Sequence, residues 1–169
     1  MLPDAPHQTP MDRLLGGWSD ILDDVGKLQR RVERVPGRCT CGHVAGVETG
    51  CPCCEHSNRA LGLECRNCAV EIDALASRLE RVEEDTLRFL PAMTDLFAST
   101  PERFGQFVAL EQSIAQLLAT FHRLVSATGE FRSGCPASHL PAVRSRARDV
   151  GIASARLAGV LERLPDGEE

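Results

Sequence analysis

Apolar positions along the chain fall into four helical stripes separated by turn-forming residues. The first stripe is Leu14, Trp18, Ile21, Val25, Leu28, Val32 and Val35. Its gaps alternate four and three, the spacing that keeps one helix face apolar. Thr9, Pro10 and Asp12 supply a cap, a first-turn proline and a first-turn acid, and Pro36-Gly37 ends the pattern. A helix over about 10–35 is expected, with residues 1–8 as a polar, proline-rich disordered tail.

A second stripe, Ile72, Leu75, Leu79 and Val82, predicts a helix from about Cys65 to Leu90. Its solvated face carries Glu71, Arg78, Glu80, Arg81, Glu83 and Glu84, and Pro91 is expected to end or kink it. Met93, Leu96 and Phe97 then read as an apolar turn. Thr100, Pro101 and Glu102 repeat the first start signal. They open a stripe of Phe104, Phe107, Leu110, Ile114, Leu117, Phe121 and Leu124 that stops near Thr128-Gly129. The fourth helix, about 139–164, turns Val143, Ala147, Val150, Leu157, Leu161 and Leu164 inward before Pro165-Asp166-Gly167.

Four such helices predict an all-α fold, an antiparallel four-helix bundle. It forms a single domain over 9–169, with residues 36–68 as an inserted module between helices 1 and 2. Composition supports helix over sheet: aromatics are 4% of the chain, Tyr is absent, and Ala, Leu, Arg and Glu abound. A homodimer that completes or extends the bundle is a second arrangement open to these seams.

The insertion changes the picture from packing to chemistry. It reads PGRCTCGHVAGVETGCPCCEHSNRALGLECRNC and holds seven of the eight cysteines. Its only large aliphatic side chains are Val44, Val47, Leu61 and Leu63, too few to offset the entropy of ordering thirty-odd residues. Metal–thiolate bonds supply such a staple, because binding energy becomes folding energy where no site preexists. Cys39-x-Cys41, Cys51-x-Cys53-Cys54-x-His56 and Cys65-x-x-Cys68 each place two or more donors within reach of one ion, and His43 follows Cys41 by two. The candidate metal ligands are therefore Cys39, Cys41, His43, Cys51, Cys53, Cys54, His56, Cys65 and Cys68.

A disulfide framework is the rival. The opening MLPDAPHQTPMDR has no apolar signal segment. A cytoplasmic location is thus expected, where clustered Cys reads as metal-binding. Zinc is the expected ion, one or two per chain, since it takes four Cys or His donors and favours Cys-x-x-Cys. An iron–sulfur cluster is the alternative, although the C-x2-C-x2-C run is absent. The Cys-x-Cys and Cys-Cys pairs also suit thiolate-bridged clusters or soft Cu(I). The spacing Cys39-x-Cys41 with Cys65-x-x-Cys68 resembles, over those four residues, the zinc site of redox-regulated chaperones of the heat-shock 33 class. That resemblance implies a zinc-held thiol switch, and the three further cysteines depart from its pattern.

Other chemistry is thin. No Glu-x-x-His pair for a di-iron bundle, no glycine-rich phosphate loop and no Walker pattern occurs. His122 and His7 have no obvious partner, and Glu48, Glu55 and Glu64 are ordinary loop acids. In an up-down-up-down bundle, Cys135 and His139 of the third connection come to the same end as the insertion. Arg144, Arg146, Arg148, Arg156 and Arg163 on helix 4 read as a solvated face, or as a contact for an acidic partner. The net charge of −5 gives no general attraction to nucleic acid, and no apolar run is long enough for a membrane span.

The expectation is a non-enzymatic metal-binding protein whose Cys-rich loop folds around structural zinc and presents a surface to a protein partner. An iron–sulfur or thiol-redox module, for electron transfer or sensing, and a soft-metal storage or delivery protein are the alternatives.

Overall fold

The structure, a computed structural model, describes residues 10–35, 38, 41–44, 50–97, 100–129 and 140–164. It is an antiparallel four-helix bundle of α1 (Pro10–Arg34), α2 (Pro52–Phe97), α3 (Pro101–Ala127) and α4 (Leu140–Leu161). Helix α1 packs on α2 and α4, and α3 packs on the same two, so the helices stand at the corners of a square.

All seven expected positions of α1 are buried, with Trp18 and Val32 fully so. Ile72, Leu75 and Leu79 of α2 face them. Trp18 brings its only polar atom into the core, where Nε1 donates to Thr86 Oγ1 at 3.1 Å. That hydroxyl in turn donates to the Val82 carbonyl at 2.7 Å. In α3 the stripe from Phe107 to Leu124 is buried, but Phe104 is 54% exposed and belongs to the surface. It lies in the first turn, ahead of the first buried position. In α4, Leu140, Ala153, Ser154 and Val160 join the expected inward residues.

Thr100 caps α3 as expected: its hydroxyl accepts from the Arg103 N–H at 3.2 Å, with Pro101 next in line. Thr9, the corresponding cap of α1, lies outside the described residues.

Helix α2 departs from expectation at both ends. It runs 46 residues, starting at Pro52 and passing through Pro91 to Phe97. Pro91 neither ends it nor leaves a turn at Met93, Leu96 and Phe97; the helix continues at the loss of one backbone donor. At the other end the helix starts at Pro52, inside the Cys-rich segment.

Ion pairs set the register of α1 against α2. Asp24 meets Arg78 at 2.5 Å, and Arg31 reaches Glu64 at 2.7 Å and also Glu71. Residues 52–63 of α2 therefore project past the end of α1 as an arm. The start of α4 lies beside the end of α1, where the Arg144 guanidinium donates to the Val35 carbonyl. Among the described residues, no helix is long and apolar enough to cross a membrane.

Candidate metal centre

Two short elements converge at the arm. The first is a chain reversal over residues 38–44, closed by an antiparallel bridge between Arg38 and Val44. The Arg38 guanidinium donates to the Gly42 carbonyl at 3.1 Å across it. Gly42 has φ +89°, a left-handed conformation that residues with a Cβ rarely adopt. The turn sets Cys41 and His43 side by side, Sγ to Nδ1 at 3.0 Å.

The second element is the start of α2. Gly50, at φ +69°, delivers the chain to Cys51, whose carbonyl accepts the first helical bond from the Glu55 N–H at 2.9 Å. Cys51 is thus the N-cap and Pro52 the first helical residue. The Cys51 sulfur accepts from the backbone N–H groups of Cys54 and Cys53, which holds its thiol below the usual range. Cys54, in the same first turn, points inward and is 2% exposed.

Cys41 Sγ lies 3.1 Å from Cys54 Sγ, and Cys54 Sγ lies 3.3 Å from His43 Nδ1. Together with Cys51, these four donor atoms all lie within 4.8 Å of one another. A tetrahedral zinc site spaces its sulfurs by about 3.8 Å and sulfur from nitrogen by about 3.6 Å, as bond lengths near 2.3 and 2.1 Å require. The separations among Cys41, His43 and Cys54 are shorter than this by about 0.3–0.7 Å, a gap that small side-chain movements open. Three thiols and an imidazole are a donor set of structural zinc. Around a metal, the thiolates of Cys51 and Cys54 would place negative charge on the N-terminus of α2, where the helix dipole favours it.

The other candidates stand elsewhere. Cys53 and His56 occupy the exposed side of the first turns of α2. Cys65 is fully buried and disulfide-bonded, which removes its sulfur from the candidate ligands. Cys68 is fully buried in the face of α2 that meets α1. Burial, and then the charge of Glu64, push its thiol up to about 11. It stays protonated at neutral pH and donates weakly to Glu64 at 3.9 Å. The structure thus assembles Cys41 with His43, Cys51 and Cys54, and does not bring Cys65 or Cys68 to them, so the four-residue resemblance is not reproduced as one site. Cys39, Cys135 and His139 lie outside the described residues, as do His7 and Glu48. His122 is exposed on α3.

Every member of the group was a sequence candidate, but the partition was not. The signal for it was Cys51-Pro52 followed by Glu55, the same cap–proline–acid order that opens α1 and α3. Comparison with known protein families, characterised proteins and solved structures finds no match for this chain. The reading of its function rests on the geometry of the site.

Proposed function

We propose that the chain is a non-enzymatic zinc protein: a helical bundle whose projecting arm is locked by one structural zinc on Cys41, His43, Cys51 and Cys54 and serves protein recognition. The observation that carries this reading is the convergence of those four donors from a hairpin turn and a helix start. Four protein donors fill a tetrahedron and leave no position open for a reacting water, which favours a structural role over a catalytic one. A [4Fe–4S] or [2Fe–2S] cluster is ordinarily held by four thiolates, and this group offers three with a histidine. Storage of soft metal favours several ions in shared thiolates, whereas one compact tetrad matches one ion.

Native mass spectrometry with elemental analysis of protein purified without added metal tests the proposal. One zinc per chain is expected, lost in Cys41→Ser and Cys54→Ser. Bound iron with inorganic sulfide and visible absorbance, or a chain with no metal after growth in zinc-replete medium, would overturn it.

A further inference from the structure

The three thiols of the tetrad are not equally reachable. Cys41 is exposed on the hairpin turn, Cys51 is half-buried at the N-cap of α2, and Cys54 is 2% exposed. Yet the sulfurs of Cys41 and Cys54, one from each element, stand 3.1 Å apart. That is shorter than the about 3.8 Å between two sulfurs on one zinc, and about 1 Å longer than a sulfur–sulfur bond of about 2.05 Å. The pair therefore stands between two crosslinks, one through a cation and one direct, and a small movement reaches either.

Both crosslinks tie the same two pieces of chain. Cys41 and Cys54 are 13 residues apart, and a bond between them closes the loop that joins the hairpin to the first turn of α2. A disulfide stabilises by restricting the unfolded chain. A bond between Cys51 and Cys54 would lie within one helical turn and leave the hairpin untied. Cys51 could reach the hairpin only by weakening its hydrogen bonds from the Cys53 and Cys54 N–H groups, which favour a charged sulfur over a disulfide. Cys53 stands on the exposed side of the turn, and Cys68 is buried against α1.

We propose that the tetrad is a site of reversible oxidation: peroxide replaces the zinc crosslink by a Cys41–Cys54 disulfide, and the arm stays docked in both states. The exposed Cys41 thiolate attacks a peroxide oxygen, the O–O bond breaks, hydroxide leaves, and Cys41 becomes a sulfenic acid. The Cys54 thiolate then attacks the Cys41 sulfur, the S–O bond breaks, and a second hydroxide leaves as the S–S bond forms. Two thiolates give up two electrons and the peroxide takes them. His43 and Cys51 alone are too few donors for a closed tetrahedral site, so the cation leaves. Solvent access sets the order: Cys41 meets the oxidant, and the buried Cys54 beside it resolves the sulfenic acid before further oxidation. The inference rests on the zinc reading for the reduced state, whereas the disulfide rests on the sulfur geometry alone.

The test treats the full chain, purified with its metal, with an equimolar amount of hydrogen peroxide. A colorimetric indicator should report one zinc released per chain, and peptide mapping without reduction should find Cys41 joined to Cys54. Hydrogen exchange should leave residues 50–62 as protected as before, whereas a chelator without oxidant exposes them. Dithiothreitol followed by zinc should restore the metal content. Cys53→Ser should behave as the parent chain, and His43→Asn, which keeps both sulfurs but lacks the full tetrad, should still form the bond. Four results would overturn the inference: a new disulfide between other cysteines, Cys41 ending as sulfinic acid, protection of residues 50–62 lost on oxidation, or zinc retained with no new disulfide. The last of these leaves the zinc reading standing. A chain that holds no metal in any preparation yet joins Cys41 to Cys54 on oxidation refutes only the zinc.

Discussion

Stripping the metal should melt one end of the molecule and leave the other folded. Within the arm, residues 52–63, only Cys54 and Leu61 are buried. Burying one leucine contributes about 2 kcal/mol, little for twelve helical residues past the end of α1, and a helix this short is marginal alone. Zinc at a thousandfold excess over its dissociation constant adds about 4 kcal/mol to the state it binds. That contribution exists only while the arm and the hairpin are folded around the ion, so removing it should release both.

The bundle should not follow. Its core runs from Leu14 to Val35, Leu61 to Leu79, Phe107 to Leu124 and Leu140 to Leu164, and it includes none of the tetrad residues. Trp18, the single tryptophan, is fully buried about 25 Å from the end of α1 at 1.5 Å per residue. Hydrogen exchange read by mass spectrometry, with and without a strong chelator, should show protection lost in peptides covering 38–44 and 50–62. Peptides covering 72–89 should be unchanged, and the Trp18 emission maximum should stay blue. Far-UV dichroism should fall by roughly the share of helix in the arm. Exposure of Trp18 on chelation would refute the reasoning, since the metal would then be holding the core. So would an arm that keeps its protection, since packing alone would be sufficient.

Smaller perturbations probe other parts of the scaffold. Thr86→Val removes the acceptor of the buried Trp18 N–H and should destabilise the bundle by about 1–3 kcal/mol in urea titrations. Gly151→Ala places a Cβ where the Gln29 side-chain amide now sits. The amide is the far end of a flexible side chain and can swing aside, so this change should be near neutral, while Gly151→Leu should lower the melting temperature by several degrees. The Cys68 thiol should resist a neutral-pH disulfide reagent until the chain unfolds, because burial keeps it protonated. The carboxyls of Asp24 and Glu64 are held below their ordinary range, chiefly by hydrogen bonds from Arg78 and Arg31 respectively. Their contribution is present above the unfolded carboxylate range and is lost as pH falls through the depressed folded values. Stability should thus decline below about pH 4, by no more than about 1 kcal/mol per pair because the pairs are solvent-exposed. Arg78→Gln should flatten that decline.

The periodic parts of the chain were legible because burial follows directly from spacing. Every heptad position of α1 is buried, and the start of α3 at Thr100-Pro101 was visible from cap chemistry alone. The errors have local causes. Phe104 continues the spacing of its stripe, yet it falls in the first turn of α3, ahead of the first buried residue, Phe107. Pro91 reads as a terminator because its missing donor is a local property, whereas α2 is carried through it by helix on both sides. The Cys-rich segment looked structureless because its second half has few aliphatic side chains. Propensity allowed a helix there all the same: Glu55, Arg59, Ala60, Leu61 and Leu63 are good helix formers, and Cys51-Pro52 starts it. Nine candidate ligands could not be divided by spacing, because the division depends on where α2 begins. Once Cys51 is the N-cap, Cys54 turns inward, Cys53 and His56 turn outward, and Cys65 and Cys68 face the core.

The unequal lengths of α1 and α2 tie the site to the surface. A partner helix that ended level with α1 would need no hairpin and no ligands, since four cores of similar length close on themselves. Here α2 overshoots α1 by about 18 Å at 1.5 Å per residue, and the overshoot carries Leu63, 54% exposed, whereas Val70, 67% exposed, stands where α1 still supports α2. If zinc binds as proposed, the arm is helical before any partner touches Leu63, and such a partner need not subtract the arm's ordering entropy from its binding energy. Removing the metal should then weaken contacts made through Leu63 and leave those made through Val70 alone.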